Sequence, residues 1–317
     1  MNSIGGYFEL ELSKGKEFHS NAIRLNTGRN ALQIILIVKK FKSVYLPYYT
    51  CDVILEPFKK TNIPYKFYNI DKNFEPIFDY STIKEDEGFL YTNYFGLKDN
   101  FISSLIENCK NLIIDNSQSF FSLPPKGIPT FYSCRKFFGV PDGAYLYLDE
   151  APILDLPLDH SETRFAHLLK RIEYGPEAGY SDFKANDSSL SGQPIKKMSE
   201  LTKALLSNID YEFVRNKRKE NFLFFQEELS EYNEFEINIC KESIPMIYPF
   251  LTHKIGLREW LIKNKVFVAI YWPNVIKLIS SDTIEYMYAT NFIHLPIDQR
   301  YTKEQIKNII ALLMENQ

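Results

Sequence analysis

Phe131-Tyr132-Ser133-Cys134-Arg135-Lys136-Phe137-Phe138-Gly139-Val140-Pro141-Asp142-Gly143 leads directly into the apolar run 144–148. A serine stands three residues before a lysine, aromatic side chains flank both, and a Pro-Asp-Gly turn separates the lysine from the next strand. Aromatic neighbours strip water from an ammonium group and favour the neutral, nucleophilic amine. A lysine that bonds covalently to a carbonyl compound needs such surroundings. Most lysines only solvate a surface, so Lys136 gains meaning from what precedes it.

Upstream lies Asn111-Leu112-Ile113-Ile114-Asp115-Asn116-Ser117-Gln118-Ser119. A short apolar run bounded by turn residues reads as a parallel strand buried on both faces. Ligands of open α/β sheets sit beyond the carboxyl ends of such strands, which is where Asp115 falls. A carboxylate there can keep a heteroaromatic ring nitrogen protonated, and Gln118 is in reach of a ring hydroxyl. An aspartate in this position also caps a following helix, and both roles stand on the residues alone.

Further upstream, Leu25-Asn26-Thr27-Gly28-Arg29-Asn30-Ala31-Leu32 opens an apolar helix. Free amides and the dipole at a helix N-terminus bind phosphate without a cationic side chain. Ser133 adds a hydroxyl to the same task. Many helices begin with Thr-Gly and bind nothing.

In this order, the Thr-Gly helix, the strand ending Asp-x-x-Gln and the Ser-x-x-Lys before a glycine turn resemble fold-type I enzymes that use pyridoxal phosphate. The chain is most similar to the DegT/DnrJ/StrS family of sugar-nucleotide aminotransferases. Val44-Tyr45-Leu46-Pro47-Tyr48-Tyr49-Thr50 is similar to the family's strand-Pro-aromatic-Thr loop, and Met198-Ser199-Glu200-Leu201 to its Arg-Met-Ser-Glu helix start. Ala269-Ile270-Tyr271-Trp272-Pro273 lies where the family has a strand ending in an aromatic and Pro. Ile293-His294-Leu295-Pro296-Ile297-Asp298 resembles its final Leu-Pro strand, followed by the C-terminal helix. The resemblance covers nearly the whole chain, and its specificity lies in the ordered set rather than in any one motif.

Three positions depart from the family. Its lysine follows Ser-Phe-His-Pro-Thr, but the position of that serine is Phe131 here, which leaves Ser133 as the phosphate hydroxyl. The loop position after Thr50, commonly an aromatic over the cofactor ring, is Cys51, so Tyr49 or Tyr48 is expected to turn inward in its place. The family's Asn-Tyr-Arg before Met-Ser-Glu is Ile195-Lys196-Lys197, which removes the asparagine offered across a dimer to the phosphate. Either lysine could replace it or simply be solvated.

The resemblance implies an α/β fold-type I architecture. Residues 1–190 would form a large, mostly parallel-sheet, cofactor-binding domain, and 191–317 a long helix with a smaller α+β domain. It implies pyridoxal 5'-phosphate as cofactor, with Lys136 and Asp115 catalytic. Thr27, Gly28, Arg29, Tyr49, Asp115, Gln118, Ser133 and Lys136 would line the cofactor. It further implies a homodimer that transfers an amino group, with glutamate as donor, to the keto sugar of a nucleotide-sugar, for amino-sugar and surface-polysaccharide biosynthesis. A cofactor-binding member without catalysis is the alternative, motivated by Cys51 and Ile195. A related sugar dehydratase is a further one, against which Lys136 counts, because that reaction class carries histidine at this position.

The residues agree with this organisation. Apolar runs at 43–46, 65–70, 89–92, 112–115, 130–133 and 144–148 alternate with helical patterns at 29–41, 51–60 and 100–109, which predicts a parallel sheet covered on both faces. The Ser/Asp/Asn/Gly-rich stretch 182–194 reads as a loop. A helix from 197 towards 229, broken near Asn208, strands at 244–251 and 266–270, and helices at 254–263 and 302–314 complete the pattern.

A net charge of −3 gives no reason to expect nucleic acid, and the basic run Arg215-Asn216-Lys217-Arg218-Lys219 reads as a solvated helix face. Cys51, Cys109, Cys134 and Cys240 form no Cys-x-x-Cys pair, and the five histidines form no metal-binding set. Residues 1–18 lack the apolar core of a signal peptide, and the longest apolar run is too short to cross a bilayer. A cytoplasmic protein with no membrane partner is the expectation.

Overall fold

The computed structural model describes residues 4–13, 15–149 and 155–315. Its centre is an eight-stranded sheet built from β1 (Ile23–Leu25), β2 (Ser43–Pro47), β3 (Tyr65–Ile70), β4 (Pro76–Ile77), β5 (Glu87–Thr92), β6 (Leu112–Asp115), β7 (Thr130–Ser133) and β8 (Ala144–Tyr147). The order is β1-β8-β7-β6-β5-β2-β3-β4. The run β7-β6-β5-β2-β3 is parallel throughout, while β4, β8 and β1 pair antiparallel with their neighbours.

The parallel strands show why their sequences are almost continuously apolar. All six residues of β5 and all four of β6 are buried. Side chains alternate across the sheet with period two. Leu90, Ile113 and Phe131 join one apolar cluster, while Phe89, Tyr91, Leu112, Ile114 and Tyr132 join the cluster on the opposite face. Helix α1 (Gly28–Lys39) packs on the first face through Ala31, Leu32, Ile35 and Leu36. Thr27 caps it by accepting from Asn30 N at 3.2 Å, so the helix starts where β1 ends.

Further along come α2 (Leu55–Thr61), α3 (Asp99–Asn108), α4 (Ala166–Tyr174), α5 (Tyr180–Ser189), α6 (Glu200–Ser207) and α7 (Tyr211–Leu229). Ser199 caps α6 and Asp210 caps α7, and the chain breaks between them near Asn208 as the pattern predicts. A second, two-stranded sheet pairs β9 (Ile247–Leu251) antiparallel with β10 (Phe292–Pro296). It carries α8 (Leu257–Lys263), α9 (Ile284–Asn291) and α10 (Lys303–Met314).

Four expectations change. Much of the stretch expected as a loop is helix α5, because its polar residues find tertiary partners. Asn186 Nδ2 donates to Pro141 O at 2.8 Å, and Asp187 pairs with Arg135 at 2.9 Å. Strand β9 starts at Ile247 rather than at 244, since Pro245 offers no N–H to a ladder. The stretch 266–270 makes a single bridge, Ala269 to His294, between Lys265 in a left-handed φ of 64° and the turn at Trp272-Pro273. Arg218 is not on a solvated face: it is among the largest fully buried side chains, while Arg215 stays exposed.

One polar cluster holds the Pro141-Asp142-Gly143 turn in place. The fully buried Asp142 carboxylate accepts from Thr202 Oγ1, Ser161 Oγ and Arg164 Nη2. Arg164 also pairs with Asp159, which in turn holds Lys196 at 3.0 Å. Removing one member of a buried ion pair strands the other charge. Arg164, however, keeps Asp159 when Asp142 is removed, so Asp142→Ala is expected to cost about 1–3 kcal/mol, that of unpairing buried hydrogen-bond donors, read from the shift in a urea unfolding midpoint at unchanged slope.

Candidate active site

Strand register brings three chain segments to one edge. Ala144 is paired with Ser133 on one side and with Leu25 on the other. The end of β7 and the start of α1 are thereby level with each other across the beginning of β8. Gly143 N donates to Asn26 O at 2.8 Å and Cys134 N to Gly143 O at 3.1 Å, which locks the two segments together. The buried Asn26 and Asn30 add a clamp: Asn30 Nδ2 donates to Asn26 Oδ1, and both amides donate to Pro194 O.

A cavity opens at this edge. Its lining includes Thr27, Gly28 and Arg29 from the start of α1, Asp115 from the end of β6, and Ser133, Arg135 and Lys136 from the end of β7 and the turn after it. The first amides of α1 have no acceptor within the helix, so they face this space with the Thr27 hydroxyl. Gly28 keeps the approach open, with Phe131 3.9 Å from where a Cβ would stand.

Asp115 is 7% exposed, and its Oδ1 accepts from Ser117 N at 2.8 Å. Burial pushes its carboxyl above the ordinary value, while the nearby Lys136 charge and the Ser117 hydrogen bonds pull it back. Lys136 is half-buried, with Nζ 5.9 Å from the centre of the Tyr271 ring. The residue after it is pinned from two sides. Phe137 O accepts from Arg218 Nη2 at 3.4 Å and from Gln299 Nε2 at 3.1 Å, and the guanidinium lies 4.4 Å from the Phe137 ring centre. Burial lowers the Arg218 pKa to about 10.

Two residues expected at the cofactor lie elsewhere. Gln118 is fully buried and does not line the cavity: its Oε1 accepts from Phe95 N at 3.0 Å, and Nε2 has no protein acceptor. Tyr49 does turn inward, but into the core, where its ring meets Tyr94, Phe74 and Tyr288 and stands edge-on to Trp272 at 4.7 Å. Tyr48 stacks on Phe67 at 4.8 Å. Trp272, which no local pattern singled out for the cofactor, lines the cavity beside Cys51. Arg29 Nη1 donates to Leu190 O at 2.9 Å and its Nε lies 3.5 Å from Glu56, while Arg135 pairs with Asp187. Both arginines reach the cavity already partnered. Lys196 is held within the subunit by Asp159, and Lys197 is exposed.

These residues fit a phosphorylated, ring-bearing carbonyl compound. Helix amides with the Thr27 and Ser133 hydroxyls suit a phosphate. A buried carboxylate suits a protonated ring nitrogen, and a nearby amine suits a carbonyl carbon. Among the described residues no group of His, Cys, Asp and Glu could hold a metal ion.

No family model matches this sequence, and no curated protein matches it. Solved structures do match its fold. A sugar aminotransferase from Micromonospora echinospora superposes with a TM-score of 0.64 at 12% identity, over 94% of this chain and 88% of the other. A DegT DnrJ EryC1 StrS aminotransferase from Brucella abortus gives 0.62 at 14%, over 93% and 85%. A GDP-4-keto-6-deoxymannose-3-dehydratase with bound GDP-perosamine gives 0.61 at 13%, over 92% and 88%. The chain therefore has the fold-type I architecture of the DegT/DnrJ/EryC1/StrS sugar aminotransferases, shared with at least one sugar dehydratase. Identities this low establish the fold, and the site's chemistry has to be argued from its residues.

The raised carboxyl of Asp115 carries a pH dependence. A buried acid with a raised folded-state pKa favours folding when protonated. Its contribution is complete below the ordinary carboxylate value of 3.8 and is lost as pH rises from there through the raised value. With no cofactor added, Asp115→Asn is expected to unfold at a higher temperature than the parent at neutral pH. The difference should vanish below about pH 4, where both states carry a neutral group. Parallel thermal scans across pH check this; a variant less stable at neutral pH contradicts it.

Proposed function

We propose that this chain is a pyridoxal-phosphate aminotransferase that moves an amino group, with glutamate as donor, to the keto carbon of a nucleotide-linked sugar. The reaction would serve amino-sugar and surface-polysaccharide biosynthesis. One observation carries the reading: Lys136, Asp115, Ser133 and the amino end of α1 converge on a single cavity of this fold. When bound, the cofactor supplies the carbonyl carbon that accepts the amino group and the ring that delocalises charge left by proton loss.

The chain's residues divide the remaining work. The α1 amides, Thr27 and Ser133 hold the phosphate and so fix the ring's position. Asp115 keeps a proton on the ring nitrogen, and its burial makes the charge pairing strong. Lys136 Nζ would be the covalent anchor for the cofactor's carbonyl carbon and the base that carries a proton away from the donor's α-carbon. Arg218 and Gln299 set the path of the lysine turn. At the rim, Arg29 and Arg135 meet a donor carboxylate or a nucleotide phosphate. The fold alone does not separate amine transfer from sugar dehydration; lysine rather than histidine at 136 favours transfer.

A second copy of the chain belongs to this reading. Leu169, Ile172 and Tyr174 on α4 and Tyr180 and Phe183 on α5 are exposed apolar side chains, and the Phe183 ring centre lies 5.9 Å from the guanidinium of Arg135, which lines the cavity. Among the described residues no helix is long and apolar enough to cross a membrane. All four cysteines are free, in keeping with a reducing cytoplasm.

Borohydride reduction of the protein loaded with pyridoxal phosphate, followed by peptide mapping, is expected to label Lys136, and label on another lysine removes it from the site. Amine transfer from glutamate to a panel of nucleotide-linked keto sugars is expected to fall by about 10²–10⁴-fold in Lys136→Ala, the span of a lost general base. Retained cofactor with no transfer to any sugar would instead support a non-catalytic binding role. An active monomer in sedimentation at assay concentration would remove the second copy from the reading.

A further inference from the structure

Position 51, after the Pro47-Tyr48-Tyr49-Thr50 loop, presents a thiol and no ring. Cys51 lines the cavity near the charges of Lys136 and Arg29. The tyrosines before it are committed elsewhere, Tyr48 against Phe67 and Tyr49 inside the core. Two aromatic side chains do reach the cavity. Phe131 lies under Gly28, on the side of the helix amides. Trp272 lines the cavity next to the loop that ends at Cys51, its ring edge-on to Tyr49.

Several contacts fix Trp272 there. Asn274 Nδ2 donates to Thr50 O at 2.9 Å, which ties the 272–274 turn to the loop ending at Cys51. Tyr49 buttresses the indole edge-on at 4.7 Å, and Phe95 lies nearly parallel to it at 6.4 Å. The indole is 5% exposed, so its position is determined by packing and not by solvent. Its backbone takes a φ of 66°, a conformation a bulky L-residue adopts only where the surroundings impose it.

We propose that Trp272 forms the aromatic wall for the planar cofactor ring, in the place of the aromatic that position 51 lacks. The inference rests on the pyridoxal-phosphate reading above. Tyr49 then acts one layer behind, as a positioning residue that holds the indole, and Cys51 leaves room for a ring delivered from the far end of the chain.

The chain has two tryptophans, and Trp260 is engaged elsewhere, donating Nε1 to Leu312 O. Trp260→Phe isolates Trp272 emission and Trp272→Phe isolates that of Trp260. On titration with pyridoxal phosphate, Trp272 emission is expected to be quenched more strongly than Trp260 emission. Trp272→Ala is expected to weaken cofactor binding about three- to tenfold, the worth of one aromatic pair. Adding Cys51→Phe to that variant should recover affinity, which a merely structural loss would not do. Cofactor bound by absorbance, with Trp272 quenched no more than Trp260 and affinity unchanged in Trp272→Ala, overturns this inference and leaves the cofactor reading standing. No bound cofactor in the parent protein overturns both. Should Trp272→Ala fail to fold, the emission comparison decides alone.

Discussion

The central parallel strands β5 and β6 are buried along their whole length, which pushes charged side chains to their ends. From Phe89 to Tyr91 and from Leu112 to Ile114 every side chain joins one apolar cluster or the other, and the one hydroxyl among them, on Tyr91, has to donate to Phe74 O in place of water. Polar chemistry is therefore displaced to the carboxyl edge, where Asp115 ends β6 and Ser133 ends β7. The amino end of α1 reaches the same edge because α1 must cover Leu90, Ile113 and Phe131. The convergence of a buried acid, hydroxyls and helix amides follows from the sheet's burial as much as from any demand of a ligand.

That edge alone would not hold a lysine steady. Lys136 ends a short helical turn after β7, half-buried between the core residues Cys134 and Phe137. Its geometry is set from outside by two unlike devices. On the Gly143 side, the buried Asp142 carboxylate gathers donors from Ser161, Arg164 and Thr202. On the Phe137 side, Arg218 and Gln299 share one carbonyl oxygen, reached from α7 and from the turn after β10. A buried guanidinium is a costly way to orient a carbonyl. It bonds at the same time to Pro245 O and Met246 O, so one side chain fastens the lysine turn to the segment leading into β9.

The strands and the candidate residues that follow them were legible in the sequence for a common reason. Runs such as 112–115 and 130–133 are short, apolar and bounded by polar residues, and a side chain at a strand end is placed by the strand itself. What was not legible depends on distant partners. The α5 segment reads as a loop by composition, because Asn186 and Asp187 become helical only once Pro141 O and Arg135 are there to meet them. Arg218 lies in a basic run that counts as surface until Phe137 stacks on it. Trp272 meets Tyr49, and Asn274 meets Thr50 O, across most of the chain, and no local pattern announces such contacts. The residues lost to sequence reading are those whose function is to join segments, and the segments they join meet only in the folded chain.

The cavity thus has walls drawn from the start of α1, the ends of β6 and β7, and the 272–274 turn, with no single segment owning it. Few of these contacts exist in the unfolded chain, so a ligand filling the cavity binds the native state alone and stabilises it by mass action. Asp115 sharpens that linkage. Its carboxylate is held where burial disfavours its charge, and the Lys136 ammonium opposes that penalty only in part. A ligand bringing a protonated ring nitrogen to Asp115 supplies the missing counter-charge in a place shielded from water, where such a pairing is strongest. The same buried acid that would polarise such a ligand would therefore also strengthen its binding. Fold stability and ligand affinity are then set by one group at the end of one strand, and the apolar strand behind it fixes how strongly each depends on the other.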